Sequence, residues 1–261
     1  MSEYQYYEFR ALDRRLTSEQ QQRLRSLSSR AEISATRFTN EYSFGDFRGD
    51  PGRLLEEYFD AYLYAANWGT RELAFRLPRA LLDAQTAQRY CAEEHRAWVT
   101  QTAEHVIVRF RWDDDEGDDW IEGEGLLDPL LAARGELATG DLRLLYLGWL
   151  LKVQLGELDE DLADEAEPPV PAGLRELSDS LASVAQFLKI DDDLIAVAAK
   201  ARGPAGRARA GRGPGEGGST GTAGSRAGRR LRATPTKPDG TQGGDMAAGS
   251  GADRALQAKG I

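Results

Sequence analysis

Hydrophobic and polar positions change period several times along the first half of the chain, and each change predicts an element. From Tyr4 to Leu12 the residues alternate, with Tyr7, Phe9 and Ala11 on one side and Tyr6, Glu8 and Arg10 on the other, which predicts a strand. Thr17 or Ser18, followed by Gln20 or Gln21, has the form of a capping box, and Leu24 and Leu27 give the helix that follows a narrow apolar stripe to about Ser29. Arg37 to Phe44 alternates again, placing Phe38, Asn40, Tyr42 and Phe44 on one face. Asp50-Pro51 pairs an N-cap acceptor with a proline at the first helical position. Leu55, Tyr58, Phe59, Tyr62 and Ala66 then recur at spacings of three and four, which extends that helix to Ala66. From Arg71 the period becomes two, with Leu73, Phe75 and Leu77 on one side. A helix entering a strand through the turn at Gly69 is the predicted centre of the fold.

Beyond it, Asp83 caps a short helix ending near Cys91, Trp98 to Thr100 forms an edge strand, and Val106, Val108, Phe110 and Trp112 mark a longer one. From Leu126 the pattern is helical. Asp128-Pro129 opens one helix, and Thr139 or Asp141 opens a second that is apolar on most sides, from Leu142 to Val153. Leu174, Leu177, Leu181, Val184 and Phe187 mark an amphipathic third, and Asp191-Asp192-Asp193 heads a last helix through about Lys200. The fold class is α+β: a mainly antiparallel sheet of four to six strands, ferredoxin-like in its early order, with helices on one face and a C-terminal helical layer. Residues 1–125 form the sheet domain and 126–200 the helical region packed on it. In 201–261, sixteen glycines and the absence of any aromatic residue predict a disordered tail.

Charge sharpens that division. Residues 1–199 hold 21 Lys and Arg against 39 Asp and Glu, and 200–261 hold 12 against 4, so an acidic body precedes a basic tail. The body repels nucleic acid over most of its surface, which leaves the tail only weak, non-specific contact with polyanions. Pairs such as Gly211-Arg212 and Gly228-Arg229 resemble an arginine-glycine arm but lack the aromatics on which bases stack. A linker or non-functional extension, which includes translated read-through of a GC-rich gene, explains the tail better than a nucleic-acid arm does. The single cysteine, Cys91, fits a reducing, cytoplasmic setting, and the N-terminus carries no signal-like or membrane-spanning segment.

Candidate chemistry is sparse. Asp113 to Gly125 holds eight carboxylates, but glycine falls at the fifth position instead of the sixth that a calcium loop needs. We therefore expect no metal there, only a solvated hairpin tip followed by a short strand. His95, His105 and Cys91 stand without a nucleophile or base nearby in sequence, and no glycine-rich phosphate loop follows a strand. No catalytic residue and no cofactor is expected. The best candidates for a polar site are Asn40, Glu41 and Asp46 near the second strand and Asn67, Trp68 and Arg71 at the glycine turn.

The segments Glu3 to Ala11, Asn40-Glu41-Tyr42, Gly49-Asp50-Pro51, Tyr58 to Ala61, Ala66 to Arg71 and Tyr146 to Leu150 resemble an uncharacterised family of bacterial hypothetical proteins over about residues 3–200. That resemblance implies a bacterial cytoplasmic protein and transfers no activity, cofactor or site. The function expected from these readings is that of a non-enzymatic interaction or adaptor protein with an unknown protein partner. The alternative is a small-molecule-binding protein or enzyme with a site near Asn40, Glu41, Asn67 and Arg71.

Overall fold

The computed structural model describes residues 3–91, 96–113, 121–154 and 167–201, all within one compact unit, Met1–Ala208. The expected tail, apart from Ala201, lies outside the described residues, as do His95 and residues 114–120 of the acidic run.

The front of the chain runs strand, helix, two strands, helix, strand. β1 (Gln5–Arg10) leads to α1 (Ser18–Leu27), where Thr17 and Gln20 form the capping box read from the sequence. A two-residue strand, β2 (Glu32–Ile33), precedes β3 (Arg37–Tyr42) and is too short to leave a periodic signal. α2 (Pro51–Glu57) starts on Asp50, whose side chain accepts a hydrogen bond from the Arg53 amide at 3.1 Å. The chain then departs from expectation. The helix stops at Glu57, and β4 (Ala61–Ala66) takes the place of its second half.

Burial explains the difference. Ala61, Tyr62, Leu63, Ala65 and Ala66 are all buried, because β4 sits in the middle of the sheet with both faces covered. A strand covered on both sides loses its polar alternation. Tyr62 and Ala66 then fall by composition alone on the three-and-four spacing set up by Tyr58 and Phe59. The glycine turn is present, but it joins β4 to β5 (Arg71–Pro78) as a hairpin: Gly69 has φ +95°, its amide donates to the Ala66 carbonyl, and the Ala66 amide donates to Thr70.

α3 (Ala84–Gln88), capped by Asp83, then β6 (Ala97–Gln101) and β7 (His105–Trp112) complete a seven-stranded sheet in the order β2-β3-β1-β4-β5-β7-β6. Every pairing is antiparallel, so the α+β class with a mainly antiparallel sheet holds. The extra strands are β2 and β4. After β7, Ile121 to Gly125 is loop where a short strand was expected. A short 3-10 turn (Asp128–Leu130) leads into α4 (Leu131–Ala138), followed by α5 (Arg143–Gln154), α6 (Asp179–Phe187) and α7 (Asp192–Ala201). α6 starts later than the leucine spacing suggests. Ser178 caps it by accepting from the Leu181 amide at 3.2 Å, and Leu174 is buried from a turn.

The sheet separates two cores. Tyr7, Phe9, Phe38, Tyr62, Ala74 and Ile107 meet Leu24 of α1 and Leu54 and Leu55 of α2 on one face. Leu63, Leu73, Phe75, Val108 and Phe110 meet α3 to α7 on the other. α5 is the centre of that second layer, with every residue from Leu144 to Lys152 buried. It approaches the sheet at Gly148, where a Cβ would stand 2.6 Å from the Phe110 ring, so only glycine allows the contact.

Candidate functional site

Strand geometry distributes the six sequence candidates. Asn40 and Glu41 are neighbours on β3 and therefore point to opposite faces. Asn40 lies opposite Tyr7, is buried, and donates from Nδ2 to the Tyr42 hydroxyl at 2.8 Å; its Oδ1 has no partner among the described residues. Glu41 lies opposite Tyr6 on the other face and is exposed. Asp46 accepts from Gln5 Nε2 at 3.0 Å, and Gln5 Oε1 in turn receives the hydroxyls of Tyr7 at 2.7 Å and Tyr64 at 3.1 Å. Burial is the main reason that the Tyr7 hydroxyl is pushed up to about 12.

Asn67 ties the β4–β5 turn to β1: its Oδ1 accepts from the Tyr4 amide at 2.9 Å, and its own amide donates to the Tyr4 carbonyl. Trp68 stands at the tip of that turn, 42% exposed. Arg71 donates to the Phe187 carbonyl at 3.0 Å, with its guanidinium 6.0 Å from the centre of the Phe187 ring, and so links β5 to the end of α6. Glu41 and Arg71 share a face, but Tyr6 and Ala65 stand between them in the same cross-strand row, a separation of about 14 Å from strand spacing. The six residues do not converge.

Three other polar groupings are assembled by the fold. At the lower end of the sheet, Asp60 is buried. Its carboxylate accepts from Arg76 at 2.7 Å and from the amides of Leu12 and Asp13 at 2.7 and 2.9 Å. Burial alone would raise its pKa, but these donors outweigh it and hold the carboxyl below its usual range. Arg134 reaches round from α4, donating to the Arg76 carbonyl at 2.8 Å and by two nitrogens to Asp13. A shallow cleft of about 670 Å³ opens beside this network, rimmed by Arg14, Glu56, Glu57, Glu104 and His105. Burial, and then the nearby Arg76, lower the His105 pKa.

On the α1–α2 face, Glu72 and Arg109 form an ion pair at 3.1 Å, and burial raises the Glu72 carboxyl despite that partner. On the opposite face, Glu8 is fully buried. Arg10 stands 2.6 Å from it, Arg37 3.0 Å, and the Tyr6 hydroxyl donates to it at 2.9 Å. In front of this group lies a groove of about 150 Å³ whose walls include Arg30, Glu32, Arg37, Thr39, Glu41 and Glu124. The last residues of the acidic run form one border of the groove. The Gly123 amide donates to the Tyr4 hydroxyl at 3.1 Å, and a Cβ on Gly123 would sit 2.0 Å from the Tyr6 ring. The alternation of β1 puts Tyr6, Glu8 and Arg10 on one strand face, but only the pairing register brings Arg37, Thr39 and Glu41 beside them.

No protein-family model, curated protein or solved structure matches the chain. Among the described residues no group of His, Cys, Asp and Glu is placed to hold a metal ion, and no helix is long and apolar enough to cross a membrane.

Proposed function

We propose that the protein is a non-enzymatic interaction protein whose docking surface is the end of the sheet where β3 and β4 finish. One observation carries this reading. β3 and β4 both run antiparallel to β1, so they end on the same side, and the loops that follow them present Phe44 at 72% exposure and Trp68 at 42%. Phe44 had been expected on the β3 face, but the strand ends at Tyr42 and leaves the ring in solvent. Two large aromatics on neighbouring loops are the usual anchors of a protein interface. The exposed carboxylates of Glu3, Glu41 and Asp46 lie at the same end, in a body where Asp and Glu outnumber Lys and Arg by 39 to 21, which favours a cationic partner.

The C-terminal helices are the weaker place for such a surface. Val197 is their one strongly exposed large apolar side chain among the described residues. The single, buried cysteine supports a cytoplasmic setting, and the basic tail supplies weak, salt-sensitive contact with polyanions. Affinity capture from the source cell with the full chain, beside the Phe44→Ala/Trp68→Ala double variant, tests the reading. A protein retained by the parent and lost by the double variant is expected. The same set of proteins on both baits would refute it.

A further inference from the structure

The groove in front of Glu8 holds opposite charges that do not neutralise one another. Arg30, Glu32, Glu41 and Glu124 all border it, and none of the four forms an ion pair among the described residues. Its floor is built rather than incidental. Tyr6 and Thr39 are 4% and 7% exposed, and the Thr39 hydroxyl, in the wall of the cavity, has no hydrogen-bond partner among the described residues. That hydroxyl opens into the groove, where water satisfies it and a ligand acceptor can take the water's place.

Arg37 is held from behind. Its Nη2 donates to the Tyr6 hydroxyl at 3.1 Å, and its Nε lies 3.0 Å from Glu8 Oε1, off line for a hydrogen bond but close enough for an ion pair. Glu8 is balanced by Arg10 as well, so Arg37 is fixed in place without being fully used. Its Nη1 has no partner among the described residues. A guanidinium already ordered by its neighbours loses little entropy when it takes a further acceptor.

From this arrangement we infer that the groove binds a small zwitterion, a free α-amino acid. Its carboxylate lies on Arg37 Nη1 and the Thr39 hydroxyl, and its ammonium group lies between Glu41 and Glu124. Size and charge both select this class. At about 150 Å³ the groove is half the lower bound of ordinary drug-sized pockets, which suits a small polar molecule. With three carboxylates and two guanidiniums on its walls, the groove offers an ion of one sign only part of these partners and a zwitterion both kinds. The groove shares Glu41 with the docking end but includes neither Phe44 nor Trp68, and it does not depend on their role.

Isothermal titration of the full chain at low salt, with L-alanine, L-glutamate and L-arginine as probes and propionate and ethylamine as single-charge controls, tests the inference. At least one amino acid is expected to bind, and each control more weakly by about 10-fold or more, since one charge-assisted contact is lost. Glu41→Gln and Thr39→Val are expected to weaken the bound amino acid by about 10-fold and 3-fold, while Phe44→Ala leaves it unchanged. Both groove substitutions keep side-chain shape, and an unchanged melting temperature separates lost contact from lost fold. No heat from any of the three amino acids up to about 10 mM, or a control that binds as tightly as its zwitterion, overturns the inference.

Discussion

Asp60 is the buried carboxylate at the centre of the polar network at the lower end of the sheet. It is 1% exposed, accepts from one guanidinium and two amides, and stands 4.0 Å from a second guanidinium, that of Arg134. Replacing it leaves Arg76 buried without its counter-charge, and breaking a buried pair in this way costs about 3–5 kcal/mol. Asp60→Asn is therefore expected to lower stability at neutral pH by that amount in urea unfolding. The acid limb should change as well. The folded-state pKa lies below the ordinary value of 3.8, so Asp60 contributes stability that is complete above that pH and is lost as pH falls through the folded-state value. The variant should lose stability less steeply than the parent below about pH 4. Part of the candidate site is also decided at this scale. Asn40 and Glu41 are adjacent on a strand, so a period of two already assigns them to opposite faces. The row Glu41, Tyr6, Ala65, Arg71 needs the pairing register, which no single segment encodes.

Among the elements, α5 and β7 show how closely the second layer is fitted. Gly148 faces Phe110 and Cys91, both fully buried, with room for a hydrogen and none for a methyl. Gly148→Ala should destabilise the protein by about 1–3 kcal/mol through overpacking, despite the better helix propensity of alanine, as thermal unfolding would record. Cys91 shares this setting: burial pushes its thiol up to about 12, so it is inert to thiol reagents while the fold is intact. Elements that carry polar or charged residues at regular positions were legible in the sequence, even though β1 and β7 are buried almost throughout. β1, β3 and β7 alternate, and α1 and α2 carry their caps in the expected residues. β4 was not, because its neighbours bury both faces and leave the apolar spacing compatible with either period. β2 was not, because two residues have no period.

At the scale of the molecule, one sheet is shared by two cores, and the larger depends on residues that come late in the chain. Leu63, Leu73, Phe75, Val108 and Phe110 have their cover in α4 to α7. A chain ending at Gly125 would keep only α3 on that face and leave most of it bare, and it is expected to show no cooperative thermal transition and to aggregate during purification, whereas the full chain unfolds cooperatively. The Arg134–Asp13 contact spans 121 positions and closes the same dependence at the sheet end.

The separation in sequence between that apolar face and its cover becomes a separation in time on the ribosome. The seven strands are complete at Trp112, while α4 to α7 occupy residues 131–201. At 5–20 residues per second, synthesis of those seventy-one residues takes roughly 4–14 s. Strand pairing is over in milliseconds to seconds. A nascent sheet thus waits with one face uncovered, and the yield of soluble protein depends on how that interval is shielded, by chaperones or by slower synthesis at low temperature, more than on the finished acidic surface.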